Sequence, residues 1–195
     1  MSSLDFEYPS LFDFPPFFTY VLTCGRRQIT DSTWKSQVSQ WETFILAYTR
    51  HKHLFRIDVH QATAPGGIEI FENRKINRRL SFETLQEIIE EMVQKDTAEW
   101  EGGNKGPRSE ALIYWHTPDE WANLIWNWIN ETGQNNQIVT YYEIAHGELA
   151  EGQEFYELDK ALLNKALNIL VKRGNAQIFK GTDEDSMGVK FFGSQ

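Results

Sequence analysis

"LDKALLNKALNILVKRGN" occupies residues 158–175, and its leucines and alanines recur every three or four positions. This spacing predicts an amphipathic helix with one apolar face, which ends at Gly174. Two short apolar runs follow, "AQIFK" (176–180) and "GVKFF" (188–192), separated by the acidic stretch "GTDEDSM" (181–187). They predict a β-hairpin. A long helix that leads into a hairpin is typical of the last part of a winged helix.

The residues before this helix supply the rest of such a domain. Thr117 followed by Pro118 is a helix-start pattern, and tryptophan, leucine and isoleucine form an apolar stripe through residues 118–131. "IVTYYEIAHG" (138–147) then predicts a short strand that passes into a short helix. The predicted order is helix, strand, short helix, long helix and hairpin.

The first half of the chain repeats this order without repeating the residues. An amphipathic helix is predicted over 30–52, a strand over 54–60, a second long helix over 81–95, and a hairpin from 97–101 and 110–116. We therefore predict an α+β protein that consists of two tandem winged-helix domains.

The domain boundary is placed before Pro118, which gives residues 1–117 for an N-terminal segment plus the first winged helix and residues 118–195 for the second. The chain has 195 residues, 41% of them hydrophobic, and a formal net charge of −9. No run approaches the roughly 20 apolar residues that a transmembrane helix needs. Cys24 is the only cysteine, so no intramolecular disulfide framework is possible. We expect a soluble, cytoplasmic protein.

Catalytic and metal-binding patterns are missing from the sequence. It contains no P-loop, no dinucleotide-binding glycine fingerprint and no serine-hydrolase elbow. "HKH" (51–53) closes a predicted helix, and nothing around it completes a metal ligand set. Paired acids such as Glu90 and Glu91 fit a hydrated helix face. We expect no catalytic residue, no cofactor and no metal, and hence no enzyme.

Winged helices often bind DNA, so a DNA-binding or transcription-associated factor is the alternative. The negative net charge and the acidic hairpin tip at 181–187 oppose contact with phosphates. "NRKINRR" (73–79) is the one basic cluster, with Arg74, Lys75, Arg78 and Arg79. We interpret it as a solvated loop before a helix, offset by the glutamates of that helix.

The segment "FEYPSLFDFPPFFTY" (6–20) is too apolar for a disordered tail and too rich in proline for a core helix. Two interpretations are open. The segment folds back onto its own first domain, or it is a docking peptide for a groove on a partner. In the second case Pro15 and Pro16 hold the backbone extended and the phenylalanines act as anchors.

Three stretches together carry a family resemblance: "FEYP…FDFPPFFTY" near the start, "PDEWANLIWNWINETGQNNQIVTYYEI" (118–144), and "GVKFF" near the end. They resemble the vacuolar protein sorting 25 family, the smallest subunit of the ESCRT-II complex. The resemblance implies two tandem winged helices that do not target nucleic acid. It also implies two copies of this subunit per complex, one bound to the vacuolar protein sorting 22 subunit and the other to vacuolar protein sorting 36.

In that family a PPFF motif inserts into a hydrophobic pocket of the partner's winged helix. The resemblance places the motif at Pro15, Pro16, Phe17 and Phe18. Upstream residues that extend it are Phe6, Tyr8, Pro9 and Phe14, although Tyr8 stands where the family commonly has tryptophan.

The second winged helix of the family recruits the ESCRT-III subunit vacuolar protein sorting 20 through a helix of that partner. Residues 118–195 hold six Lys and Arg against twelve Asp and Glu, a balance that suits a basic helix. We therefore expect a non-catalytic adaptor in multivesicular-body sorting of ubiquitinated cargo, which is cytoplasmic and reaches the endosomal membrane through its complex.

Overall fold

The computed structural model describes residues 6–13, 18, 31–103, 106–181 and 187–193. The chain divides into two compact units, Met1–Trp115 and His116–Gln195. Each unit contains helices packed on a three-stranded antiparallel sheet.

The first unit begins with a short 3-10 helix and then the longest helix of the described chain, α1. Its elements are the 3-10 helix Ser10–Asp13, α1 (Asp31–His51), β1 (Arg56–Asp58), α2 (Val59–Thr63), the 3-10 helix Glu69–Phe71, β2 (Glu72–Asn73), β3 (Arg78–Arg79), α3 (Phe82–Gln94), β4 (Ala98–Trp100) and β5 (Glu110–Ile113). The sheet order is β1-β5-β4, with Ile57 opposite Ala111 and Trp100 opposite the same alanine.

The predicted strand over 54–60 is shorter than expected because Asp58 ends it. The Asp58 carboxylate accepts a hydrogen bond from the Gln61 amide at 2.9 Å and so caps α2, which starts at Val59. A capping carboxylate satisfies an amide that would otherwise lack a partner at the helix start. One residue thus converts the chain from strand to helix.

The core of the first unit is built mainly from aromatic and branched side chains. Trp41 and Ile45 of α1, Leu85 and Ile88 of α3, and Trp100 of β4 are all fully buried. They alternate with exposed neighbours at helical or strand spacing, as the sequence periodicity predicts. Burial of side chains this large is the main stabilising contribution to the unit.

The second unit has the elements α4 (Pro118–Glu131), β6 (Ile138–Thr140), α5 (Tyr141–His146), the 3-10 helix Glu148–Ala150, α6 (Lys160–Lys172), β7 (Ala176–Phe179) and β8 (Gly188–Phe191). Helices α4 and α6 pack along each other. The sheet order is β6-β8-β7, with Val139 opposite Val189.

The prediction for the start of α4 is confirmed. The Thr117 hydroxyl accepts from the Glu120 amide at 3.2 Å, and the Glu120 carboxylate accepts from the Thr117 amide at 2.7 Å. This reciprocal pair is a capping box, with Pro118 at the first helical position.

Helix, strand, short helix, long helix and hairpin follow in this order in both units, so the fold is two tandem winged helices, as predicted. The first unit adds the β2–β3 hairpin between its short and long helices. At the corresponding place the second unit has the 3-10 helix Glu148–Ala150.

Candidate docking surfaces

The N-terminal residues 6–13 lie against α1. The Phe6 ring stacks on Phe44, with centroids 5.8 Å apart, and meets Tyr48 edge-on at 5.2 Å. The ring of Phe12 packs against Phe44 at 5.5 Å and against Tyr8 at 4.6 Å. This part of the segment therefore folds back onto the first unit, which was one of the two open interpretations. We name residues 6–13 the strap.

Phe18 also lies in the first unit. Its side chain is only 4% exposed, and its ring is 5.3 Å from that of Phe12 and 5.5 Å from that of Trp41. In this structure of the single chain Phe18 is part of the core. The other predicted motif residues, Phe14, Pro15, Pro16 and Phe17, lie outside the described residues.

The strap presents two faces. Phe6 and Phe12 are half-buried against α1, whereas Pro9 and Tyr8 are exposed. The Pro9 carbonyl accepts a hydrogen bond from the Phe12 amide at 2.8 Å, which closes the 3-10 turn. Of the three predicted upstream residues that the structure describes, Phe6, Tyr8 and Pro9, the last two are thus the accessible ones.

Asn73 at the end of β2 holds the end of the strap. Its side chain is 2% exposed, and its amide nitrogen donates to the Phe12 carbonyl at 2.9 Å and to the Asp13 carboxylate at 3.0 Å. Lys75 reaches the second carboxylate oxygen of Asp13 at 3.0 Å. The hydrogen bond from Asn73, and then that from Lys75, lowers the pKa of Asp13. We name these three side chains the clamp.

A second link joins α1 to the region before β2. The Tyr48 hydroxyl donates to the Glu69 carboxylate at 3.0 Å, and Lys52 lies 3.3 Å from the same oxygen. Burial raises the pKa of Tyr48, and the hydrogen bond to Glu69 raises it further. Tyr48 therefore remains protonated and donating at any ordinary pH.

The basic run 73–79 is largely exposed, as predicted, but it forms a two-stranded hairpin with Glu72 and not a loop. Three of its four cations are paired within the unit: Arg79 lies 2.6 Å from Glu72, Arg74 lies 3.7 Å from the same residue, and Lys75 binds Asp13. The Arg78 guanidinium donates to the Asn77 carbonyl at 3.3 Å. The expectation that glutamates of the following helix offset the run is wrong. The acids are Glu72, which directly precedes the run, and Asp13 of the strap, which lies about 60 residues earlier in the sequence.

The interpretation of Glu90 as an acid on a hydrated helix face is also wrong. Its carboxylate accepts from the Trp100 indole nitrogen at 2.9 Å and pairs with Arg108. It therefore joins α3 to the wing of the first unit and satisfies the polar atom of a buried tryptophan.

In the second unit, large apolar side chains are exposed on the stretch from α5 to the 3-10 helix. Tyr142 is 57% exposed and Leu149 64%. The backbone there is fixed, because the buried Trp128 donates its indole N–H to the Leu149 carbonyl at 3.1 Å. Exposed glutamates lie in the same stretch: Glu143, Glu148 and Glu151. We name Tyr142, Leu149 and these glutamates the acidic patch.

Sequence reasoning missed the acidic patch, although one signal was available. Tyr141 and Tyr142 are adjacent on a helix, so only one of them can face the core. Tyr141 is buried, and its hydroxyl donates to the Asn164 side chain at 3.2 Å. Tyr142 is therefore directed outward.

A second exposed apolar pair lies on the solvent face of the β6-β8-β7 sheet. Ile138 and Phe179 are 61% and 38% exposed, and Phe179 is paired with Gly188. A Cβ atom on Gly188 would lie 2.8 Å from the Ile138 side chain, so the glycine leaves room for the isoleucine.

Metal and membrane-spanning features are not found among the described residues. No group of three or more His, Cys, Asp or Glu side chains there could hold a metal ion. Within the same ranges, no helix combines the length and the hydropathy needed to cross a bilayer.

The geometry defines a class: a tandem winged-helix protein in which most cations of the basic run 73–79 are paired internally, and in which the exposed Tyr142 and Leu149 lie next to glutamates. Comparisons with known proteins agree with this class. A family model described as "ESCRT-II complex subunit" matches residues 11–159. Vacuolar protein-sorting-associated protein 25 of Danio rerio is 38% identical over 97% of this chain and 100% of its own length. The Homo sapiens protein of the same name is 36% identical over 97% and 99%.

Solved structures give the same result. Subunit VPS25 of the endosomal trafficking complex ESCRT-II superposes with a TM-score of 0.76 at 26% identity, covering 93% of this chain and 97% of that one. A chain of the endosomal complex ESCRT-II (VPS22/VPS25/VPS36) matches with the same score and identity over 98% and 100%. The chain belongs to the ESCRT-II subunit family, in its vacuolar protein-sorting-associated protein 25 branch.

Proposed function

We propose that this chain is a non-catalytic subunit of ESCRT-II that acts in endosomal sorting by assembly alone. The observation that carries the proposal is membership of the family over nearly the whole chain. Its partners within the complex are VPS22 and VPS36, with two copies of this chain in each complex. The assembly is cytoplasmic, is recruited to the endosomal membrane, and sorts ubiquitinated cargo into multivesicular bodies.

Docking uses the motif Pro15-Pro16-Phe17-Phe18, which inserts into an apolar pocket of each partner. Phe14 and the upstream residues Phe6, Tyr8 and Pro9 extend the contact. Exposure of Tyr8 and Pro9 on the strap supports a role for this face in the interface. Aromatic anchors that enter a partner's pocket carry most of the binding free energy in such interfaces.

Phe18 should respond differently from an anchor that is exposed before docking, because its ring is buried in the single chain. Docking of Phe18 exchanges one apolar site for another, so its net contribution is smaller than that of an exposed anchor. The test is reconstitution of the full-length chain with VPS22 and VPS36. We expect Phe17→Ala to abolish stoichiometric co-purification while the isolated chain keeps its thermal stability. A Phe17→Ala chain that still assembles stoichiometrically would contradict docking through this motif.

Recruitment of an ESCRT-III subunit, vacuolar protein sorting 20, is the second activity that we propose, with the acidic patch as its site. An exposed leucine and tyrosine on a fixed backbone can bind the apolar face of a partner helix, and the surrounding glutamates suit basic residues at its edges. Attraction of this kind raises the association rate and weakens with added salt.

The chain offers a matched control for this site. Leu149→Ser should weaken binding of vacuolar protein sorting 20 by about tenfold or more, which corresponds to a binding hot spot. Phe179→Ser changes an exposed apolar residue on the sheet face instead and should leave the affinity unchanged. If Phe179→Ser weakens binding and Leu149→Ser does not, the site is the sheet face and our assignment is wrong.

The alternative of a DNA-binding winged helix is not supported by any of these features. Its best argument was the basic run 73–79, whose cations Arg74, Lys75 and Arg79 already pair with Glu72 and Asp13. Binding to phosphates would require these ion pairs to open.

A further inference from the structure

Asn73 is one of the few buried polar side chains of the described core, and its hydrogen-bonding capacity is divided between two tasks. Its oxygen accepts from the Lys75 amide at 3.0 Å and from the Ile76 amide at 3.4 Å, which forms the turn between β2 and β3. Its nitrogen donates to Phe12 and Asp13 of the strap. The first task is local, whereas the second reaches about 60 residues back along the chain.

The turn itself does not need the amide nitrogen. An aspartate accepts the same two backbone hydrogen bonds and is common in such turns. Unlike an aspartate carboxylate, the asparagine amide accepts and donates at the same time. Asparagine at this position is therefore explained by its hold on the strap.

The hydrogen bonds from Asn73 act on the residues that directly precede the stretch 14–17. Asp13 is the last described residue before the stretch 14–17, and its carboxylate is bound from both sides by Asn73 and Lys75. The ring of Phe12 fixes the preceding residue against Phe44. The point at which the chain leaves the strap is thus set relative to the β2–β3 hairpin.

We propose that Asn73 is a positioning residue for docking onto the partner subunits, because it holds Phe12 and Asp13, which precede the motif in the chain, against the first unit. This inference rests on the proposed docking function. A segment that begins from a fixed point loses less conformational freedom on binding than one that begins from a loose strap, and this preorganisation raises affinity. Asn73 itself does not contact the partner.

The Asn73→Asp substitution separates the two tasks. The new carboxylate still accepts from the Lys75 and Ile76 amides, so the turn remains, but it cannot donate to Phe12 and it repels Asp13. We expect the affinity of the full-length chain for the VPS22–VPS36 assembly to fall by about tenfold, the factor that corresponds to about 1.4 kcal/mol. Isothermal titration calorimetry should show the loss chiefly as a less favourable binding entropy.

A second substitution serves as the rescue. Adding Asp13→Asn to Asn73→Asp restores a donor and an acceptor between the two side chains with the polarity reversed and removes the repulsion. The affinity should recover in part, because the hydrogen bond to the Phe12 carbonyl is still missing. If Asn73→Asp proves unstable, Lys75→Gln provides an independent variant, because Lys75 is well exposed and its substitution removes only the ion pair to Asp13. We expect it to weaken docking by roughly two- to threefold, since exposed ion pairs contribute little.

The outcomes distinguish this inference from the docking function on which it rests. If Phe17→Ala has no effect on assembly, the docking function fails. If Phe17→Ala abolishes assembly and Asn73→Asp leaves the affinity unchanged, only the positioning role fails, and the clamp is structural. Tighter binding of Asn73→Asp would also overturn the proposal, because the strap would then compete with docking.

Discussion

The first unit covers one side of α1 with the strap and with Phe18, whereas the second unit leaves apolar side chains of similar size in solvent. Phe6 and Phe12 pack against Phe44, and Phe18 packs against Trp41. Among the described residues, the exposed large apolar side chains are Tyr8 of the strap and, in the second unit, Ile138, Tyr142, Leu149, Val171 and Phe179.

The difference indicates how the winged-helix fold can serve the two binding functions that we propose, docking within ESCRT-II and recruitment of an ESCRT-III subunit. Among the described residues of the first unit, Tyr8 of the strap is the one large apolar side chain that is exposed, so the docking that we propose for this unit uses the N-terminal segment. In the second unit, the exposed tyrosine, leucine and glutamates of the acidic patch lie on a backbone that is held by the hydrogen bond from Trp128. This surface therefore needs no additional segment to form. Exposed apolar groups of this kind typically mark interaction sites.

The largest loss of stability should come from truncating Phe18, the residue of the N-terminal segment that lies in the core of the first unit. Phe18→Ala deletes a ring that is 4% exposed, and we expect a loss of about 3 kcal/mol in the stability of the first unit. The second unit should be unaffected. Hydrogen exchange read by mass spectrometry, peptide by peptide in urea, resolves the two units.

Phe179→Ala is the matched control, because it removes the same side chain from a partly exposed position in the second unit. Its cost should stay within about 0.5 kcal/mol. Equal effects of the two substitutions would mean that Phe18 is not part of the first core and that the comparison between the units fails.

The second effect concerns helix caps. Thr117→Ala removes the acceptor of the capping box at α4 and should cost about 1 kcal/mol, confined to the second unit. Ser81→Ala at α3 removes a cap that lacks the reciprocal glutamate, so its cost to the first unit should be smaller. The midpoint of urea unfolding in each unit measures both. A larger loss for Ser81→Ala would show that the glutamate adds nothing.

Local patterns predicted most of this fold. Periodicity located the long helices, and Thr117 and Gly174 marked the ends of two of them, because capping depends on neighbouring residues only. The repeated order of elements was enough to predict two winged helices. The β2–β3 hairpin escaped prediction because its strands have two residues each, too few for any alternation to appear.

The candidate sites were harder to predict for a physical reason. The partners of Asp13, Glu72 and Glu90 are set by tertiary packing, so a basic run or an acidic pair in the sequence does not reveal which charges meet. The backbone position of Leu149 depends on the hydrogen bond that Trp128, on another helix, donates to its carbonyl. Resemblance to a family supplied the motif 15–18 and the sequence left fold-back of this segment open, but only tertiary packing shows the Phe18 ring against Trp41.

The smallest expected effect is a difference between the units in how their folding stability depends on pH. The pKa of Glu120 is lowered, first by the hydrogen bond from the Thr117 amide, and the pKa of Asp13 is lowered, first by that from Asn73. A carboxyl group with a lowered pKa stabilises the folded state above its unfolded pKa, and this contribution is lost as the pH falls through the folded value. Both contributions should therefore be complete above pH 4.5, the ordinary value for glutamate, and disappear in more acidic solution.

Substituting each carboxylate should show which unit loses stability in acid. Glu120→Gln should flatten the acid dependence of the second unit alone, and Asp13→Asn that of the first unit alone, with hydrogen exchange between pH 5.5 and pH 3 as the measurement. Because both carboxylates are largely exposed, solvent screens them and the changes should be small. For Asp13 the effect should appear in the exchange of residues 6–13, whose attachment depends on the clamp, before it appears in the core. Release of residues 6–13 and of the core at the same pH would mean that the strap and the first unit unfold as one, and the N-terminal segment would then be a fixed part of that winged helix and not a separable docking element.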